Sequence, residues 1–200
     1  MGKKRVELDV ESSSLNHIDA LTNKGKDDVW RFIGFYGVPK TQRRMKSWNL
    51  MRNLNGRFLV SWLCVGDFNE ITKTHEKKGG RLRPYIQMKN FCDALDECGL
   101  MDLGYVGSKF TWFKNFANGI AVWELLNRAM GTTDWFDNYS ATKVMILECG
   151  SLEHKPLLIH PWGVPMRPNK LGDLNKCGWR MKDAMILWLQ LGEMVKEVHR

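Results

Sequence analysis

The run FLVSWLCV at positions 58–65, closed by Gly66, constrains the fold more than any other stretch of the chain. It is too short to cross a membrane and too uninterrupted for a strand with one wet face. It predicts a central strand buried on both sides, and so a layered domain with other elements packed above and below. The flanking sequence supplies those elements. RVELDV at 5–10 alternates, with Val6, Leu8 and Val10 on one side, as in a half-buried strand. VWRFIGFY at 29–36 is an aromatic-rich strand, and the polar turn NKGKDD at 23–28 precedes it. Strands this close in sequence predict an antiparallel meander. Met45, Trp48, Met51 and Leu54 mark one face of a helix with Thr41 as its N-cap. Pro84 opens a second helix with Met88, Phe91, Cys92, Leu95 and Cys98 inward, ended by Gly99. Short strands are expected at 100–103, 109–113 and 143–147, a short helix through Trp135 and Phe136, and a loop over 71–83. The mixture defines an α/β or α+β layered domain.

Composition narrows the function classes. Two hundred residues with a net charge of +8 predict one domain and an anionic partner, nucleic acid first. No apolar run suits a membrane, and MGKKRVELDVES has no apolar stretch that would make it a secretory signal. Cys64, Cys92, Cys98, Cys149 and Cys177 are odd in number and include no CxxC, which argues against a disulfide framework or a zinc ribbon. They predict reduced thiols in an intracellular protein of the nucleus or cytoplasm. Pro161, Pro165 and Pro168, with Gly163 and Gly172, make a linker of 161–179. Beyond it, 180–200 reads as an amphipathic helix with Met181, Met185, Trp188, Leu191 and Val195 in one stripe.

The sharpest local signal is GDFNE at 66–70, just past the buried strand. Extended geometry there would aim Asp67 and Asn69 the same way, where acid and amide together can hold a water, a hydrated Mg²⁺ or a phosphate oxygen. The same pair also serves as an ordinary turn that satisfies nearby backbone. Tyr36 ends the aromatic strand, and alone it is a half-buried structural tyrosine. Glu153-His154 places a carboxylate beside an imidazole, although neighbours on a strand point to opposite faces. His75-Glu76 does not begin a zinc helix, because Gly79 stands where the second His is needed. No GxGxxG, Walker A or nucleophile-elbow sequence occurs. Basic residues cluster at Lys3-Lys4-Arg5, at Lys40 with Arg43, Arg44 and Lys46, and at Lys73 with Lys77, Lys78, Arg81 and Arg83. They suit phosphate contacts, or equally a solvated face.

WRFIGFYGVP (30–39), SWLCVGDFNEI (61–71), EKKGGRLRP (76–84), ALDECGLMDLGYVGSKFTW (94–112) and EHKPLLI (153–159) together resemble one family. It is the endonuclease domain of plant LINE-type, non-LTR retrotransposons, in the endonuclease/exonuclease/phosphatase superfamily. The resemblance implies a four-layered sandwich of two mixed β-sheets flanked by helices, spanning residues 1–160 and incomplete at its N-terminus. It also implies Mg²⁺-dependent cleavage of a phosphodiester in DNA. By motif, Tyr36 contacts the scissile phosphate, Asp67 orients or deprotonates the attacking water, and Asn69 binds a phosphate oxygen. His154 stabilises the transition state, with Glu153 and Asn127 as supporting residues. Arg43, Arg44, Lys77, Lys78, Arg81, Thr111 and Trp112 are the expected nucleic-acid contacts. The departures are Asn127 and Glu153 where the family carries Asp, and the absence of the segment bearing its metal-binding Glu, so the metal ligands are unknown. The activity expected is therefore an impaired DNA endonuclease. The alternatives are a non-catalytic nucleic-acid- or protein-binding remnant and a phosphoesterase for a smaller substrate.

Overall fold

The computed structural model describes residues 8–57, 59–148, 153–163 and 185–187. The first three strands, β1 (Leu8–Ser14), β2 (His17–Thr22) and β3 (Trp30–Tyr36), form the expected antiparallel meander. α1 (Met45–Leu54) then carries the chain over one face of the sheet, and β4 (Trp62–Asp67) returns parallel to β3. A short strand β5 (Lys77–Lys78) and the helix α2 (Tyr85–Glu97) follow. Beyond them lie β6 (Met101–Asp102), β7 (Val106–Gly107), the hairpin of β8 (Trp112–Asn115) and β9 (Ala121–Glu124), and β10 (Asn127–Gly131). A short helix α3 (Thr133–Asn138), β11 (Lys143–Ile146), β12 (Leu157–His160) and β13 (Met185–Leu187) complete the described elements.

Three sheets result. The largest has the order β1-β2-β3-β4-β10-β6, the second β13-β12-β11-β7, and the smallest β5-β9-β8. The first two are mixed, because β3–β4 and β7–β11 are parallel and the other pairs antiparallel. Side-chain alternation divides the interior into two cores. Ile33, Phe35, Trp62, Cys64 and Met130 face α1 and α2, where they meet Trp48, Met51, Phe91 and Leu95. Trp30, Phe32, Leu63, Val65 and Ala129 face the second sheet and meet Val144, Ile146, Leu157 and Ile159. The architecture is thus the expected sandwich of mixed sheets with helices against it. β4 is buried at every residue, as its unbroken apolar pattern predicts.

Several boundaries differ from the sequence reading. Leu59 is 99% exposed, because pairing with β3 begins only at Trp62. Leu8 and Val10 are exposed rather than half-buried, since β1 is the edge strand and no described element covers it. Thr41 begins a 3₁₀ turn, and Arg44 is the residue that caps α1. The loop expected over 71–83 contains a 3₁₀ turn, Thr74–Glu76, and β5. Gly99 does end α2: at φ 62° it lets Leu100 N donate to Leu95 O at 2.9 Å. Within the helix expected at 180–200, Met185–Leu187 is a strand instead, hydrogen-bonded to the otherwise open edge of β12. The remainder of that helix, most of the 161–179 linker, Cys149, Cys177 and Lys3-Lys4-Arg5 lie outside the described residues. Among the described residues no helix is long and apolar enough to cross a membrane.

One buried ion pair ties the meander to α1. Arg31 on β3 donates from Nε and from one terminal nitrogen to the two oxygens of Asp19 on β2, each at 2.8 Å. Its other terminal nitrogen donates to Leu54 O at 2.7 Å, at the end of α1. Both side chains are essentially inaccessible, so removing the acid takes from a buried guanidinium the carboxylate that it grips with two hydrogen bonds. Asp19→Ala is expected to cost about 3–5 kcal/mol, read as the shift of a urea-unfolding midpoint. A loss below about 1 kcal/mol would show that the pair behaves as a surface bridge.

Candidate active site

The site forms where three neighbouring strands end. Tyr36 on β3 is paired with Asp67 on β4, and Asp67 in turn with Asn127 on β10, so the three stand in a row across the sheet. Two glycines permit this closeness. A Cβ on Gly66 would sit 1.8 Å from Phe35 O, and one on Gly37 would sit 2.2 Å from Phe68 O. Beyond Asp67 the chain turns at Asn69, whose φ of 55° is a conformation asparagine tolerates better than most residues.

Asp67 and Asn69 therefore meet through a folded turn, not through the extended alternation that the spacing suggests. Asn69 N donates to Asp67 Oδ1 at 2.9 Å, and Asn69 Nδ2 donates to Asp67 Oδ2 at 3.0 Å and to Gly37 O at 2.8 Å. The turn and the site are the same object here.

His154 reaches the row from the other side. It bridges to Trp112 in antiparallel fashion, with Phe113 N donating to Glu153 O and Lys155 N to Thr111 O. Its Nδ1 lies 3.3 Å from Asn127 Oδ1 and 3.8 Å from Asp67 Oδ2. Asn127 cannot turn its amide around freely, because its Nδ2 donates to Lys155 O at 2.9 Å. That leaves an acceptor facing His154 Nδ1, so a ring proton belongs on Nδ1. In Asn127→Ala the share of the Nδ1–H tautomer of His154 should fall, as read from its ring ¹⁵N shifts. An unchanged tautomer ratio would assign the ring's orientation to Asp67 instead.

Tyr36, Asp67, Asn69, Trp112 and His154 line one open cleft of about 870 Å³, together with Arg44, Lys77, Arg81 and Arg83. The other expected site residues are placed differently. Glu153 does not support His154: it points to solvent and pairs with Lys114 at 3.1 Å, as alternation along an extended segment requires. Asn127 is the residue that touches the imidazole. Thr111 is buried, and its hydroxyl accepts from the backbone N–H groups of Leu126 and Asn127, so it braces the site from beneath. Lys78 lies over the Trp123 ring at 5.3 Å, and neither it nor the exposed Arg43 belongs to the cleft lining.

Two buried glutamates missing from the sequence-based site organise the cleft's cations. Glu70 accepts from Arg44 at 2.6 Å and pairs with Arg83 Nε at 2.9 Å. Glu124 pairs with Arg83 at 2.8 Å and with Lys77. Glu124 was signalled in sequence by a lone acid within the apolar stretch AVWELL.

Burial pushes the Asp67 carboxyl above its ordinary range, opposed by the imidazole of His154 and the hydrogen bonds from Asn69. The folded protein therefore holds this proton to higher pH than the unfolded chain does. Ionised Asp67 thus destabilises the fold, and its contribution to stability falls as pH rises from about 4 through the raised value, then stays level. Urea unfolding across this window should show that component in the wild type and not in Asp67→Asn. Matching pH profiles for the two would contradict it.

The Mg²⁺ implied by the resemblance requires hard oxygen ligands. Among the described residues the donor set does not fit such an ion. Both oxygens of Asp67 accept from Asn69, Glu70 and Glu124 are held by cations, and Glu153 faces away. Among the described residues no group of three or more His, Cys, Asp or Glu is arranged to hold a metal.

No protein-family model matches the chain, and no curated protein sequence matches it either. Solved structures do. The endonuclease domain of TRAS1, a telomere-specific non-LTR retrotransposon, superposes with a TM-score of 0.54 at 14% identity, over 77% of this chain and 68% of that one. Beta toxin 275-280 from Staphylococcus aureus gives 0.49 at 13% identity, over 72% and 56%. CdtB, the biologically active subunit of cytolethal distending toxin, gives 0.34 at 11%, over 78% and 56%. The first likeness is one of fold, and that fold is the DNase I-like sandwich.

Proposed function

We propose that the chain is a retroelement-type, nuclease-like domain that holds a phosphodiester of DNA in this cleft and is impaired in hydrolysing it. The observation that carries the reading is the convergence of Tyr36, Asp67, Asn69 and His154 on one cleft walled by arginine and lysine. In this reading the Tyr36 hydroxyl contacts the phosphate, and Asp67, fixed by Asn69, orients or deprotonates the attacking water. His154 stabilises charge that develops on the phosphate oxygens. The impairment follows from the chemistry of the donor set. Groups that act as a unit lose several orders of magnitude when one is missing, and Asn127 contributes no charge where the family resemblance expects a carboxylate.

A second reading, a non-catalytic nucleic-acid-binding module, draws on Glu70 and Glu124, which are committed to arginine and lysine. Two assays test these readings. Binding of a labelled DNA duplex should weaken steeply with salt, by about 0.9 in log K per log salt for each phosphate neutralised. Affinity that stayed constant from low to physiological salt would remove nucleic acid as the ligand. Nicking of supercoiled plasmid in millimolar Mg²⁺ should stay at background. Nicking that rises with Mg²⁺, stops with EDTA and disappears in Asp67→Ala and His154→Ala would overturn the impairment.

A further inference from the structure

We propose that the cleft selects an unpaired nucleic-acid strand over a continuous duplex, using a cation ladder for its backbone and an apolar platform at Leu82 and Tyr85 for its bases. The proposal rests on the nucleic-acid reading above and names the form of the substrate.

The ladder is Arg44, Arg83 and Lys77, interleaved with Glu70 and Glu124. Glu70 is inaccessible, and Arg44 is 8% exposed. Three cations against two carboxylates leave a net positive charge fixed in the floor, and Arg44 Nε is buried with no hydrogen-bond partner. Such a row can follow one phosphate backbone without rearranging. Arg81, exposed at the same wall, adds a further cation.

The platform lies in the next few residues. Leu82, 85% exposed, lines the cleft with Arg83, Pro84 and Gln87, and Tyr85 at 73% and Ile86 at 58% stand just beside that lining. Three large apolar side chains presented to water within one short segment mark a binding surface more than a solvated loop. The loop that leads into this segment is braced. Gly79, at φ 80°, lies so close to β9 that an added Cβ would be 2.1 Å from Ala121 O. Glu76 accepts from the N–H groups of Thr72 at 2.7 Å and Lys73 at 3.1 Å. Tyr85 then begins α2 directly after Pro84, so little ordering remains to be done on binding. An aromatic and an aliphatic surface beside fixed cations matches a base next to its own phosphate. In a duplex the base faces are already stacked on one another and cannot use that surface.

The test compares a fluorescein-labelled single-stranded oligodeoxynucleotide with the same strand annealed to its complement, using the full chain in EDTA. The single strand should bind more tightly. Tyr85→Ala should weaken single-strand binding roughly tenfold, leave duplex binding unchanged and leave the salt slope unchanged, and Tyr85→Phe should restore it. Arg81→Met should lower the salt slope for both forms. Both side chains altered here are exposed, and an unchanged thermal midpoint would confirm intact folding. Equal affinity for the two forms with no effect of Tyr85→Ala would overturn the selectivity while leaving the nucleic-acid reading in place. Binding of neither form would overturn both.

Discussion

The close parallel approach of β3 and β4 governs the rest of the structure. It exists because Gly66 has no side chain: the carbonyl of Phe35 occupies the space a Cβ would need. That contact fixes the register in which Tyr36 stands beside Asp67, and β10 extends the same register to Asn127. The two strands also divide the interior. Alternate residues of each face the helices on one side and the second sheet on the other, so both hydrophobic cores hold β4 in place. A site at the C-terminal end of this pair inherits the rigidity of both cores, as open sheets with helices generally provide.

Charge in the cleft divides into two kinds. Glu70 and Glu124 are buried carboxylates whose lone pairs are taken by guanidinium and ammonium groups. Breaking such a pair costs more than the pair gains over an apolar substitute, so these acids act as fixed supports for cations. Asp67 is of the other kind. It is nearly inaccessible, yet its partners are an amide, a backbone N–H and a more distant imidazole. Those donors lower its proton affinity, but burial outweighs them and raises it. The same cleft thus contains acids that organise charge and one acid able to exchange a proton.

Much of this was legible in the sequence, for identifiable physical reasons. The buried strand, the meander and the two helices announce themselves because their apolar periods are strict and their ends carry Gly or Pro. Tyr36, Asp67, Asn69 and His154 could be named together because the motifs appear in order, and the cleft collects them. What stayed hidden depends on contacts between distant positions. Glu70 meets Arg83, and Glu124 meets Lys77 and Arg83, through packing of the small sheet against the cleft, which no local pattern encodes. The supporting role that the resemblance implies for Glu153 is not what the geometry shows, because the strand alternation noted in the sequence sends it away from His154 and to Lys114. Thr111 was read as a groove residue although its hydroxyl is turned inward to two backbone donors. The exposed faces of β1 and of Leu59 escaped because alternation and apolarity alone do not say which strand will be at the edge or where pairing will begin.

Asn127 gives the site its electrostatic character. A carboxylate in its place would put two acids around one imidazole, with Asp67 already buried and raised. The amide supplies an acceptor of nearly the same shape without the charge, so it can hold the ring while adding no repulsion toward an approaching phosphate. Where a divalent ion screens the phosphate, that saving matters little. Among the described residues the donor set of this cleft is not arranged for such an ion, and the positive charge comes from Arg44, Arg83, Lys77 and Arg81. Removing one negative charge from the row beside Asp67 then raises the local potential that a nucleic-acid backbone meets. In the function proposed above, Asn127 would thus both withhold a charge from catalysis and favour retention of the polyanion.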